Sequence, residues 1–269
     1  MNDNPIKNLE NYRKFLLSIP LSSFRDELKE IKWVEQDLHS ALFPQKSIFH
    51  YYWDEKKFYG FEEWFDTFWN NLIADKILLE KVEDFKILVR AYRKFYEDKI
   101  NSEHEKIFFL GFKARMYRTW ISVLTQLDFC YLFDALCVKK KVNLKVECNY
   151  KLDVEEGIDA KVNNVGFQIT KISDRKVAQK ISRKKRVITI PYAVFPLEEY
   201  KRKAESSRIE KSRIAYKNAL EAFYKYFISL DNGFVVFHEN YLSPIIDNIN
   251  DYEKINEIVK HIILEFSGE

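Results

Sequence analysis

A chain of 269 residues, 46% hydrophobic and 16% aromatic, can bury a sizeable core as one large domain, or as one core with elaborations. With only six Gly and six Pro it holds no linker or low-complexity tract. The start Met1-Asn2-Asp3-Asn4 has neither a basic nor an apolar region, and no stretch reads as a membrane span, so a soluble, cytoplasmic protein is expected. The formal charge of +3 conceals an asymmetry. Between Lys171 and Lys217 stand 15 Lys and Arg against five Asp and Glu, a local +10 that leaves about −7 for the rest of the chain. One contiguous basic segment suits a phosphate backbone; the alternative, a solvated helix with interspersed acids, fits Lys201 to Lys217.

In chain order, Leu9 to Ile19 carries apolar residues at helical spacing and stops at Pro20, where Ser22 or Ser23 can cap a helix through Leu28. Val34 to Phe43 predicts a short helix with Glu35 near its start. Glu35 either reaches a site or favours the helix dipole. Tyr51 to Trp69 is dense in rings, and Phe61, Trp64, Phe65, Phe68 and Trp69 recur at helical spacing, which favours core over base stacking. Ile77 to Tyr96 continues the helical pattern. Phe109 to Leu136 predicts a long apolar helix with Arg115, Arg118, Gln126 and Asp128 as scattered polar members, each paired internally or pointed at something. Cys130, Cys137 and Cys148 lack metal-type spacing and read as reduced, buried small hydrophobes.

Val142 to Cys148 alternates as a strand and leads into Asp153 to Lys171 (DVEEGIDAKVNNVGFQITK). Asp153, Glu155, Glu156 and Asp159 crowd the end of one run, Asn163–Asn164 signals a turn, and Gly166 to Thr170 opens a second run closed by Lys171. This predicts a hairpin with carboxylates on one strand and an ammonium on the next. Close carboxylates repel unless a cation sits between them, and hard oxygen donors suit Mg²⁺. Such an ion favours phosphodiester hydrolysis, with the Lys steadying phosphate charge or the attacking water. By spacing the stretch resembles the PD-(D/E)xK nuclease signature, with Gln168 where the second acid usually stands; the alternative is a solvated turn.

Beyond it, Asp174 to Ile181 predicts a short helix, Arg183 to Arg186 a basic loop, and Val187 to Ile190 a buried strand ending at Pro191. Leu197 to Ile228 predicts a long helix or helix pair, Gly233 to Phe237 a short strand, and Leu242 to Ile249 and Tyr252 to Phe266 two helices. Strands flanked by helices give an α/β domain, a central mixed sheet with a mainly helical N-terminal part (1–105), a core (106–240) and C-terminal helices (241–269). Gly-rich phosphate loops, GxSxG and HExxH are absent, and the five His are scattered.

Several collinear blocks strengthen the nuclease reading: VEQDL (34–38), GFEEWFD (60–66), ARMYRTWIS (114–122), TQLDFCY (125–131), GIDA (157–160), GFQITK (166–171), IPY (190–192) and NGFVVF (232–237). In these the chain resembles the TaqI-type restriction endonucleases, type II enzymes of the PD-(D/E)xK fold. The resemblance implies a Mg²⁺-dependent homodimer that cuts duplex DNA at TCGA between T and C, with a cognate methyltransferase protecting the host. Carried over, the active centre is Asp153, Asp159 and Lys171, with Asp153 and Asp159 as metal ligands and Lys171 as the water-orienting cation. In one member of the family the two Asp stand one position closer together, which leaves Val154 at that position; either a residue has bulged or Glu155 or Glu156 takes the role. The same member carries a second Lys where Thr170 stands. Because side chains alternate along a strand, Lys171 does not share a face with Gln168, and its role requires a distortion near the strand end. Gln179, Arg183, Lys184, Lys185 and Arg186 are candidates for reading bases or phosphates. The alternative function is an inactive or non-specific DNA-binding relative.

Overall fold

A single helix, Glu103–Lys139, runs through the middle of the chain. The computed structural model describes residues 4–21, 44–74, 103–172, 187–193 and 196–267. The helices expected over Val34 to Phe43, Ile77 to Tyr96 and Asp174 to Ile181, the capped turn at Ser22 or Ser23 and the loop Arg183 to Arg186 lie outside the described residues. Two compact units divide the chain, one of Ser18–Leu124 and one of Met1–Leu17 with Thr125–Glu269.

In the first unit a short helix, α2 (Gln45–Ile48), passes into a π-helical stretch, Phe49–Asp54, and α3 spans Phe61–Ala74. Phe61, Trp64 and Phe65 are buried, as their spacing predicts. The rings are tied by their polar ends: Trp120 Nε1 donates to Tyr52 Oη (2.9 Å), which donates to the Tyr59 carbonyl (2.6 Å), and Trp64 Nε1 donates to Ser47 Oγ (3.1 Å). Burying a large ring is favourable only if its N–H or O–H is satisfied, and here each is.

In the second unit, α1 (Pro5–Ser18) starts on a Pro that needs no donor, while Asn4 Oδ1 accepts from the N–H groups of Ile6 and Lys7. The described strands form a four-stranded mixed sheet in the order β1 (Val146–Glu147), β2 (Ala160–Val162), β3 (Val165–Lys171), β4 (Val187–Tyr192). The first three pair antiparallel, and β3 pairs parallel with β4. β2 and β3 are joined at Asn163–Asn164, with Asn163 at φ 51°, a left-handed conformation that Asn tolerates. Pro191 lacks a donor and closes the outer strand, its carbonyl accepting from Tyr241 Oη at 3.0 Å. Then follow α5 (Leu197–Ser206), α6 (Glu210–Tyr226), a separate ribbon of β5 (Phe227–Ser229) and β6 (Val235–Phe237), α7 (Glu239–Asp247) and α8 (Tyr252–Ser267). On α5, Glu198 pairs with Lys201 and Glu199 with Lys203, so these charges lie on a solvated face.

Glu103–Lys139, now α4, supplies the core. Phe129 and Phe133 meet Phe167 of β3 with ring centroids 5.4 and 6.0 Å apart, and Phe129 meets Phe237 of β6 at 5.6 Å. Its stretch Lys113–Lys139 is long and apolar enough to cross a bilayer, against the sequence expectation, but 78% of that apolar window is buried inside the protein. That is the burial of a core helix rather than of a lipid-facing one.

α4 also carries a buried carboxylate. Asp128 is fully buried; its Oδ1 accepts from Arg13 Nε (2.9 Å) and its Oδ2 from the Phe237 N–H (2.8 Å), while Arg13 also donates to the Phe237 carbonyl (2.6 Å). One carboxylate thus ties α1, α4 and β6. Removing it leaves the buried Phe237 N–H without an acceptor and the part-buried Arg13 without its carboxylate, so Asp128→Ala costs about 1–3 kcal/mol of unfolding free energy. Urea unfolding checks this: the midpoint falls sharply at unchanged slope, and Asp128→Asn, which keeps an acceptor oxygen, loses less. An unshifted midpoint in Asp128→Ala contradicts the tie.

Candidate metal centre

Between β1 and β2 the chain makes one π-helical turn, Leu152–Glu156. Asn149 begins it, its Oδ1 accepting from the Leu152 N–H at 3.1 Å. Gly157 ends it at φ 66° and ψ 39°, a left-handed conformation that glycine adopts without cost. A π-helical turn holds one more residue than an α-turn. On this turn Asp153 lies within hydrogen-bond reach of Asp159. Glu155 and Glu156 are exposed on the same turn. The expected placement of these carboxylates on a hairpin strand is therefore corrected: Asp153, Glu155 and Glu156 precede the hairpin on the turn, and Asp159 is the residue just before β2.

Asp159 is 6% exposed and completes the sheet. Its N–H donates to the Phe167 carbonyl at 2.9 Å, and its Oδ2 accepts from the Ile169 N–H, in the place a strand carbonyl would occupy. Its Oδ1 accepts from Gln126 Nε2 of α4 at 2.9 Å. The preceding Ile158 packs on Gly166, where an added Cβ would stand 3.1 Å from Ile158 Cδ1, a tight approach that a larger residue would relieve only by shifting the Ile158 side chain.

The carboxyl groups of Asp153 and Asp159 lie within hydrogen-bond reach of each other. Burial pushes Asp153 up to about 6, partly offset by its hydrogen bond with Asp159. Asp159 is pushed well above the ordinary carboxylate range, first by burial and then by the Asp153 charge, with the Ile169 N–H pulling the other way. Two carboxylates out of water and in contact cannot both ionise cheaply unless a proton or a cation is shared between them. Beside them Cys148 is buried, its thiol directed at the Asp159 carbonyl (3.5 Å), and burial together with Cys130 keeps it protonated. All three cysteines are free and buried, as expected.

Lys171 ends β3 and is exposed. The expected distortion of the strand is not found: β3 and β4 stay in unbroken parallel register from Gly166 opposite Val187 to Lys171 opposite Tyr192. By alternation Lys171 shares the face of Ile169, whose backbone N–H donates to Asp159. Among the described residues Lys171 forms no ion pair with either Asp. Gln168 lies on the opposite face, half-buried. Glu35, Gln179, Arg183, Lys184, Lys185 and Arg186 lie outside the described residues.

Gln126 is the residue that spacing alone did not place. The available signal was its polarity within the apolar helix, two positions before Asp128. The donor set, a coupled carboxylate pair together with a buried Gln126 Oε1 that has no hydrogen-bond partner, fits a hard divalent cation.

Comparison with known proteins places the chain among relatives over most of its length. The family model described as TaqI restriction endonuclease matches residues 9–249. The chain belongs to this family. It is 34% identical over 255 residues to the type II restriction enzyme TaqI of Thermus aquaticus, covering 89% of this chain and 87% of the relative. It is 30% identical over 253 residues to the type II restriction enzyme TthHB8I of Thermus thermophilus, with the same two coverages. No solved structure matches. As a TaqI-family member the chain is a type II restriction endonuclease that acts on double-stranded DNA, and its class uses divalent metal ions. The mixed sheet flanked by helices is the fold such enzymes have.

The carboxylate pair makes a thermodynamic statement about the metal-free enzyme. Neutralising one acid removes the repulsion, so Asp153→Asn melts higher than the unsubstituted protein at pH 7 to 8 without metal, by about 1–3 kcal/mol. If the pair holds a divalent cation, the variant should also lose any stabilisation that such a cation gives the unsubstituted chain. Calorimetry with and without divalent cation checks both; a lower metal-free melting temperature with the cation increment intact contradicts the site.

Proposed function

We propose that this endonuclease is a Mg²⁺-dependent homodimer that hydrolyses duplex DNA at the palindrome TCGA, between T and C, with Asp153, Asp159 and Lys171 at its active centre. The observation that carries the reading is the contact of the half-buried Asp153 with the buried Asp159 just before β2, in a member of the TaqI family. Mg²⁺ suits oxygen donors of this kind better than softer ions do.

The chain's own groups have distinct tasks. Asp153 and Asp159 hold the cation, and the hydrogen bonds of Gln126 Nε2 and the Ile169 N–H fix Asp159 before DNA arrives, so no reorganisation is needed at the moment of reaction. When bound, the ion supplies a Lewis acid for a phosphate oxygen and lowers the pKa of water. Lys171, free of either Asp and two residues beyond the N–H that holds Asp159, adds a point positive charge for the attacking water or the phosphoryl oxygens. The basic stretch from Lys171 to Arg186 supplies phosphate contacts, and within it Gln179, Arg183, Lys184, Lys185 and Arg186 are assigned to base and phosphate reading. A two-fold dimer gives each strand of a palindrome one active centre and reads both half-sites with the same residues. Cutting so short a site requires a cognate methyltransferase to protect host DNA, with both proteins in the cytoplasm.

Digestion of unmethylated plasmid tests this. With Mg²⁺ the expected outcome is a discrete fragment set whose ends map to TCGA, and without it intact DNA. Asp159→Asn and Asp159→Ala should reduce cutting to background while still retarding a TCGA duplex in a gel. Cutting retained by both variants places the metal elsewhere; retarded but intact DNA from the unsubstituted protein makes it a binding relative.

A further inference from the structure

Among the described residues no three His, Cys, Asp or Glu side chains converge, so a divalent ion held by the acid pair fills the rest of its shell from water, substrate phosphate or a neutral protein oxygen. The nearest further group is Gln126, 9% exposed, whose amide is only half used. Its Nε2 donates to Asp159 Oδ1 at 2.9 Å, while its Oε1 is fully buried and has no hydrogen-bond partner. The carboxylate fixes which end of the amide is which: turning it over would put oxygen against oxygen and nitrogen into the orphaned position. Oε1 is thus held no further from Asp159 Oδ1 than that hydrogen bond plus the width of one amide. A buried acceptor without a partner is destabilising, a cost that an α-helical position in an apolar core would escape with Leu or Met.

We propose that Gln126 is a positioning residue of the metal centre, its Nε2 orienting Asp159 and its Oε1 contributing a third protein oxygen to the shell around the cation. The inference rests on the reading of Asp153 and Asp159 as metal carboxylates and adds the helix α4 to that site. It also explains why a polar amide stands in this buried turn: the amide is satisfied only when the ion is present. Gln126 therefore couples the position of the core helix to metal loading.

Mn²⁺ binding to the full-length protein, followed by the metal-linked rise in melting temperature and by titration calorimetry, tests this without reference to cleavage. Gln126→Leu keeps the volume and removes both polar atoms, and should weaken Mn²⁺ about 10–100-fold. Gln126→Glu keeps the acceptor oxygen but not the donor to Asp159. It should melt lower than the unsubstituted protein without metal, because a third acid joins the pair, and should bind Mn²⁺ at least as tightly. If Gln126 served only to hold Asp159 through its donor, Gln126→Glu would lose Mn²⁺ as Gln126→Leu does, and that result overturns the proposal, as does Mn²⁺ affinity unchanged in Gln126→Leu. Should Gln126→Leu fail to fold by near-ultraviolet circular dichroism, Gln126→Met decides by the same criterion. Asp153→Asn keeps the two readings apart. If it binds Mn²⁺ like the unsubstituted protein, the carboxylate site itself is wrong; if it loses Mn²⁺ while Gln126→Leu does not, only the role of Gln126 is.

Discussion

Two carboxyl groups held in contact and largely out of water are the constraint on which the structure around them depends. Each is destabilised by burial, and the Asp153 charge pushes Asp159 up further. Such a pair survives in a folded protein only if the surroundings overdetermine its position, and they do. Asp159 is anchored at both oxygens, by the Ile169 N–H of β3 and by Gln126 of α4, and at its backbone by the Phe167 carbonyl. Asp153 is delivered by a π-helical turn, a local irregularity that regular packing would not favour and that functional sites commonly retain.

The core supports this arrangement through α4. Phe129 and Phe133 seat the helix on Phe167, which fixes its rotation and so sends Gln126, about one turn earlier, toward the acid pair. Asp128, two residues later, locks the same helix to α1 and β6 through Arg13 and the Phe237 N–H. The block TQLDFCY therefore holds packing, anchoring and site residues within seven positions. A shift of this helix by a fraction of a turn would separate Gln126 from Asp159, so the precision of the site and the stability of the core share one element.

Much of the fold was legible because its periodicities are strong. α1, α3 and α4 follow from apolar spacing, and the turn between β2 and β3 from Asn163–Asn164. Other elements were not legible, for physical reasons. Val142 to Cys148 alternates like a strand, yet only Val146–Glu147 pairs, because its partner β2 offers three residues before the turn at Asn163. Phe227–Ser229 continues the apolar pattern of α6 and, at three residues, is too short to show a period of its own. β6 was expected from its apolar run, but its partnership with β5 in a separate ribbon depends on tertiary contacts. At the site, Asp153, Asp159 and Lys171 could be named from the family's motif, but the way Asp153 reaches Asp159 could not. Its signals, Asn149 as a cap and Gly157 as a left-handed stop, were present and were masked by the expectation of a regular strand. Gln126 was visible as an anomaly in an apolar helix; only the folded chain shows what it touches.

Anomalous scattering from crystals of the protein soaked in Mn²⁺ reads directly whether the acid pair is a cation site. One strong anomalous peak in contact with both Asp153 and Asp159 is expected. Mn²⁺ bound at another cluster, with the two carboxyl groups still sharing a proton, in a preparation that cleaves DNA with that ion, would contradict it.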